Sequence, residues 1–386
     1  MRILIVYKKA VKLRQWILCL LGWLTVACTS DDGTAPIDDQ NTTPDFRVIG
    51  EDFDTVYQYN YEGEAEVGEL VNLSDALNID PNYLTLRQID GLISFFSLSF
   101  VDGMFSLAQK NLETTNTMVY EDFYANTSSR SIVWGTNDGA NVFFGYYGPF
   151  GSTNLSLHDI DLSDLSGQDL LLEFGIQDLY EPLYFNEKLF ITYKDGGSKY
   201  KVVVYDTQTQ LIVWTLDFGD FTPSIFIDDG GNLSVLKKRA GEDLILETYD
   251  FDTLRCINKH TLQLDQIFDS GVFDGFFVNG ELLYWATYVQ PAPIAYGPAI
   301  YDVATGQHQQ VDLIGIVEQV QQDLNPDSIE ITAQGYSVSQ SIFLVGYTVR
   351  SALQNSVSGG VLTLSKTGEL LSNVEVPFAP TYFIRD

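Results

Sequence analysis

Seven of the basic residues in this acidic chain fall within one short stretch: Lys188, Lys194, Lys199, Lys201, Lys237, Lys238 and Arg239. From Cys28 onward only 16 basic residues stand against 52 acidic ones, so such clustering creates a local positive field able to draw in an anionic ligand. Aromatic residues sit in the same and neighbouring segments: Tyr146, Tyr147, Phe150, Tyr193, Tyr288 and Tyr296. Flat rings beside cations suit a ligand that has both a planar face and negative charge, because stacking and cation–π attraction add to the Coulomb term. A ferric catecholate or an acidic sugar meets that description. Arg350 lies in a comparable loop, YTVRSALQNSVSGG, and joins the candidate binding set. The competing reading is structural: lysine in hairpin turns keeps strand edges soluble, and tyrosine is common on β-rich surfaces.

Other chemistry finds little support. The segment Asp159 to Asp164 begins like a calcium loop, but Asp164 stands where the turn requires glycine and Leu170 where a bidentate glutamate is needed. Three histidines (His158, His260, His308) and three cysteines (Cys19, Cys28, Cys256) are too few and too scattered for a metal centre or a disulfide framework. His158 and His260 are expected at the surface and Cys256 as a buried thiol. No nucleophile-elbow, zincin, phosphate-loop or dinucleotide fingerprint occurs, and no cofactor is implied. With a net charge of −31, the chain would be repelled by nucleic acid.

The elements that must position these residues are short. Runs of β-branched and aromatic residues are broken every 8 to 12 residues by Gly, Asn and Asp from about Phe46 to Asp386, the pattern of consecutive antiparallel strands. One helical period interrupts them, at Val311 to Leu324, and ends at Asn325-Pro326. Six hairpins recur, centred on Gly103, Gly139, Glu187, Gly231, Gly280 and Gln340, at spacings of 36, 48, 44, 49 and 60 residues. Four strands per 40 to 50 residues is the signature of a β-propeller. The C-terminal run APTYFIRD, Ala379 to Asp386, reads as a first strand without a second; Thr55–Tyr61 and Glu66–Leu73 read as later strands without a first. Joining them closes a seventh four-stranded blade from both termini and removes an exposed sheet edge; six blades is the alternative. Tyr-Asp-x-x-Thr appears three times (Tyr205, Tyr249 and Tyr301 open the copies) and is expected to form a turn rather than a catalytic site. The loops between second and third strands, including Gln109 to Thr117, then carry the candidate binding residues.

The first 27 residues read as an export signal. Basic residues from Arg2 to Arg14 precede an apolar run, Trp16 to Ala27, too short to span a bilayer as a helix. Leu24-Thr25-Val26-Ala27-Cys28 resembles the lipobox of bacterial lipoproteins, which implies acylation at Cys28. Thr29-Ser30-Asp31-Asp32 is similar to the acidic tract behind that cysteine in Bacteroidota-type surface lipoproteins, and residues 28–45 read as a flexible tether. The layout resembles exported β-propeller lipoproteins, among them siderophore-binding surface proteins. That resemblance implies an outer-membrane, cell-surface location and a partnership with an outer-membrane transporter. The expected function is capture of a small anionic ligand, a metal chelate or an acidic glycan, as an accessory to uptake. A protein-interaction platform in an envelope complex is the alternative, and an exported hydrolase using carboxylates at the channel mouth is a third reading.

Overall fold

Strands whose two faces are both buried should read as continuous apolar runs, and the segment Lys188–Lys194 (KLFITYK) shows why. Leu189, Ile191 and Tyr193 pack against one neighbouring sheet, whereas Phe190 packs against the opposite one. The computed structural model describes residues 43–289, 292–324, 328–350 and 357–385, apart from the side chain of Arg350. Within them the chain forms seven antiparallel sheets arranged as a β-propeller. Residues from Thr43 onward make a compact unit of their own.

We call the strands of each blade A to D from the channel outward, and number the blades from the N-terminal one. Blade 1 takes Phe46–Glu51, Val56–Glu62 and Val67–Asn72 as its B, C and D strands and receives its A strand, Ala379–Phe383, from the other end of the chain. The closing register pairs Val48 with Phe383 and Ile49 with Tyr382. Blades 2 and 3 start at the A strands Thr85–Ile89 and Ser131–Asn137. In blade 4 the A strand is split into Asp178–Leu179 and Leu183–Phe185. Blade 5 begins at Thr222–Ile227 and gains a short parallel strand, Gly271–Val272, on its channel side. Blades 6 and 7 begin at Gly275–Val278 and Ser328–Ser337, and the helix Leu313–Leu324 sits between them.

Seven hydrophobic clusters hold the ring, each combining residues of two adjacent blades. One of them joins blade 7 to blade 1, with Leu344 and Phe378 packed beside Val48 and Phe383. The expected helix is present, and Leu313, Val317 and Val320 turn its apolar face into the cluster between blades 6 and 7. The three Tyr-Asp-x-x-Thr copies are C–D turns: Asp206 accepts from the Thr209 amide and hydroxyl, Asp250 does the same with Thr253, and Asp302 accepts from the Thr305 amide.

Two expectations about the strands need correction. The hairpin at Gly103 joins strands B and C of blade 2, not A and B; the A–B turn of that blade is Asp90-Gly91. Gln109 to Thr117 therefore leads into a C–D turn at the opposite end. The A strand was hidden because TLRQI is only half-buried and carries little apolar signal. Phe46–Glu51 is likewise a full strand, so blade 1 closes with three strands from one end and one from the other. Cys256 is exposed, on an outer strand, whereas His158 is buried beneath Tyr124.

Candidate functional site

Propeller connectivity puts the B–C loops and the D-to-A connections on one face and the A–B and C–D turns on the other. The candidate cations belong mostly to the first face, and each described one has a carboxylate partner except Lys188, which donates to the Phe251 carbonyl and faces the Phe251 ring. Lys194 lies 4.0 Å from Asp178, and its ammonium also faces the Tyr200 ring. Lys199 pairs with Asp220 at 2.6 Å and Lys238 with Asp265 at 2.7 Å. Arg239 pairs with Glu242 while its guanidinium stacks over Phe221. Lys237 meets the buried Glu247 at 2.7 Å between the rings of Phe218 and Phe221. Burial pushes Glu247 upward, but hydrogen bonds from Lys237 and Tyr249 outweigh it and hold the carboxyl below its ordinary range. The field of this cluster is thus largely neutralised by its own acids.

The aromatic candidates divide. Tyr146 is buried and donates to Asp169, which also receives Arg130. Tyr193 is buried and donates to Glu173, and burial raises its phenol well above the usual range. Tyr288 donates to the Val311 carbonyl and accepts from the Leu313 amide, fixing the start of the helix. Tyr147 is half-buried against the cluster between blades 3 and 4. Phe150 stands exposed at a loop tip, and the side chain of Arg350 lies outside the described residues, as does Cys28.

Of the described members of the set, Tyr296 alone lines a cavity of about 740 Å³ that runs along the channel side of blades 5, 6, 7 and 1. Its outer end is formed by Gln266, Ile267 and Asp269 of the blade 5–6 connection, with Thr287 and Tyr296 where the B–C loop of blade 6 departs and returns. Phe268, Phe276, Trp285, Tyr336 and Tyr382 supply aromatic walls, and Asp274 a second carboxylate. Arg385 lies toward the A–B end. Its backbone is clamped by Gln88, which accepts from the Arg385 amide at 2.9 Å and donates to its carbonyl at 2.9 Å. Its guanidinium stacks over Phe276 at 5.2 Å, and no carboxylate among the described residues lies within ion-pair distance of it. Thr332 is the residue left out of register where the A strand of blade 7 bulges. Its hydroxyl, in the cavity wall, is buried and has no partner among the described residues. Bulges of this kind re-aim a side chain, and a buried polar atom without a partner needs an explanation.

The other side of the channel is bridged. Arg87, on the A strand of blade 2, donates to the Gly135 carbonyl of blade 3 and pairs with Glu181 of blade 4. Burial disfavours the guanidinium charge, and Glu181 opposes that shift. Beside it, Tyr382 donates to Gln88. Nothing in the sequence marked this bridge or the cavity, because Arg87 and Glu181, like Thr332 and Arg385 in the cavity lining, come from blades that are brought together only when the ring closes. The helpful signal was weak: TLRQI and ITAQGYS place polar residues in strands that otherwise would be apolar.

No protein-family profile matches the chain, and no curated protein sequence matches it. Solved structures do resemble it. The β-propeller domain of the Trilobed protease from Pyrococcus furiosus is 13% identical, with a TM-score of 0.42 over 78% of this chain and 84% of that one. TolB from Acinetobacter baumannii is 12% identical, at 0.40 over 89% and 82%. The acylaminoacyl peptidase of Pyrococcus horikoshii is 13% identical, at 0.37 over 75% and 50%. Likeness at this level concerns the fold, and transfers no residue and no activity.

Proposed function

We propose that this chain is an exported, lipid-anchored binding protein that takes a small ligand into its central cavity as an accessory to uptake. The observation that carries the reading is the cavity itself: about 740 Å³ of space, aromatic walls, and an arginine in its lining with no carboxylate partner among the described residues. That volume is the size of a typical small-molecule site, and few convergent polar groups in an aromatic pocket are its usual chemistry. Arg385 would hold an anionic group while Trp285, Phe276 and Tyr296 cover flat faces. Gln266, Gln334 and the two aspartates offer hydrogen bonds to hydroxyls. A chelate with planar rings and an acidic glycan both satisfy this arrangement. Acylation at Cys28 would keep the propeller at a membrane and beside a transporter.

The test is a thermal-shift screen of residues 29–386 against ferric siderophores, haem, acidic oligosaccharides and neutral glycans. A ligand at 100 times its dissociation constant should add about 2.7 kcal/mol. The expected result is a shift abolished by Arg385→Ala and by Trp285→Ala. A shift abolished instead by Lys199→Ala and Arg239→Ala would move the ligand to the loop cations. No shift with any ligand would overturn capture in favour of a protein-interaction platform.

A further inference from the structure

Among the described residues, large apolar side chains at least 60% exposed and outside the strands all fall on the face of the B–C loops and D-to-A connections. Five of them belong to one sector, blades 1 to 3: Phe53 at 71%, Phe100 at 83%, Val101 at 98%, Phe150 at 78% and Phe174 at 69%. Ile267 and Val289 complete the set on blades 5 and 6. The tips of the opposite face are polar by contrast: Asp90-Gly91, Asp138-Gly139, Asn186-Glu187 and Asp228-Asp229.

These tips are held outward by hydrogen-bonded turns. Asp52 accepts from the amides of Asp54 and Thr55, which lifts Phe53 out of blade 1. In blade 2, Gly103 donates to the Ser99 carbonyl and Met104 to the Asp102 carboxylate, across the turn that carries Phe100 and Val101. In blade 3, Gly148 donates to the Asn154 carbonyl and Ser152 to that of Pro149, on either side of Phe150. The side chains therefore keep their exposure in place of folding back onto the blades.

We propose that this sector docks reversibly into the headgroup region of a zwitterionic lipid bilayer, with Phe53, Phe100, Val101 and Phe150 as its inserting side chains. Separate tips on separate turns match a deformable surface, which demands depth rather than shape. A net charge of −31 disfavours anionic lipid. The domain begins on the opposite face, where the Asp45 amide donates to Gln340 of an A–B turn. A tether of residues 28–42 reaches at most roughly 50 Å, against roughly 23 Å for a seven-residue strand, so anchorage through Cys28 permits this face to meet the membrane. Docking also turns the outer end of the cavity toward the bilayer, yet it stands whether or not the cavity takes a ligand.

The experiment is flotation of residues 29–386, which lack the acylated cysteine, with phosphatidylcholine vesicles. Wild type should float with the lipid. Phe100→Ser with Val101→Ser should weaken the partition coefficient at least tenfold, Phe53→Ser and Phe150→Ser should weaken it further, and Val338→Ser on the opposite face should leave it unchanged. Melting midpoints should not move, since these side chains contact solvent. A Phe100→Trp probe should shift its emission to the blue on adding vesicles. Wild type that stays with the aqueous phase, or variants that float equally well, would overturn the proposal; so would binding that appears only with a protein partner present.

Discussion

Asp159 and Glu247 are both withdrawn from solvent, and their surroundings act on them in opposite directions. Asp159 accepts from the Tyr205 hydroxyl at 2.7 Å across the contact between blades 3 and 4. Burial raises its carboxyl above the ordinary value, only partly offset by that hydrogen bond. A carboxyl raised on folding binds its proton more tightly in the native state, so stability falls as pH rises through the native value. Asp159→Asn, which keeps an oxygen for Tyr205, should therefore raise the melting temperature at pH 7. The gain should vanish below about pH 4, where both forms are neutral. Glu247 behaves in the reverse sense, since its carboxyl is lowered by Lys237 and Tyr249. Its contribution is present above about pH 4.3 and is lost as pH falls through the depressed native value. Lys237→Met should cost about 1–3 kcal/mol at pH 7 by leaving Glu247 with fewer partners, and the difference from wild type should shrink in acid. Denaturant melts across pH 3 to 7 decide both.

At the scale of elements, the closing strand Ala379–Phe383 carries the most consequence. Phe383 is buried between blades 7 and 1 and pairs with Val48. Phe383→Ala should cost about 3–5 kcal/mol, and its measure is the midpoint of urea unfolding together with protease cleavage after Asp45. A loss below 1 kcal/mol would show that the closure adds little. The strands that could be recognised from sequence are those buried on both faces, such as NVFFGYY and KLFITYK, whose runs leave no polar positions to blur them. Those that escaped lie at the channel, where TLRQI has only two apolar residues, or at the start of the domain, where FRVIGE is short. The candidate site divides for the same reason. The loop cations stand out by spacing, but their partners do not: Lys238 meets Asp265 and Lys199 meets Asp220 across turns, and Arg87 meets Glu181 across two blades. Phe150 was visible as an aromatic loop residue, while its neighbours Phe53 and Phe100 in the apolar sector were not, because nothing in the chain order brings three loops to one side.

For the whole molecule, charge is the dominant collective term. With 52 acidic residues and 21 basic ones, the native ring repels itself. Raising ionic strength shortens the Debye length to about 10 Å at 0.1 M, which screens that repulsion more than it weakens short ion pairs. The melting temperature should rise between 10 and 150 mM NaCl; a flat or falling curve would show that pairs such as Lys199–Asp220 outweigh the excess charge.

The bond between the first and last strands of blade 1 also sets the timetable of the molecule's biogenesis. Because Phe46–Glu51 waits for Ala379–Phe383, every blade between them can form while the ring is still open, yet the circle locks only after the final strand has been synthesised. A prematurely terminated product would leave Val48 and Ile49 paired on one side only, with Tyr59 and Gln58, and present an unfinished edge to proteases.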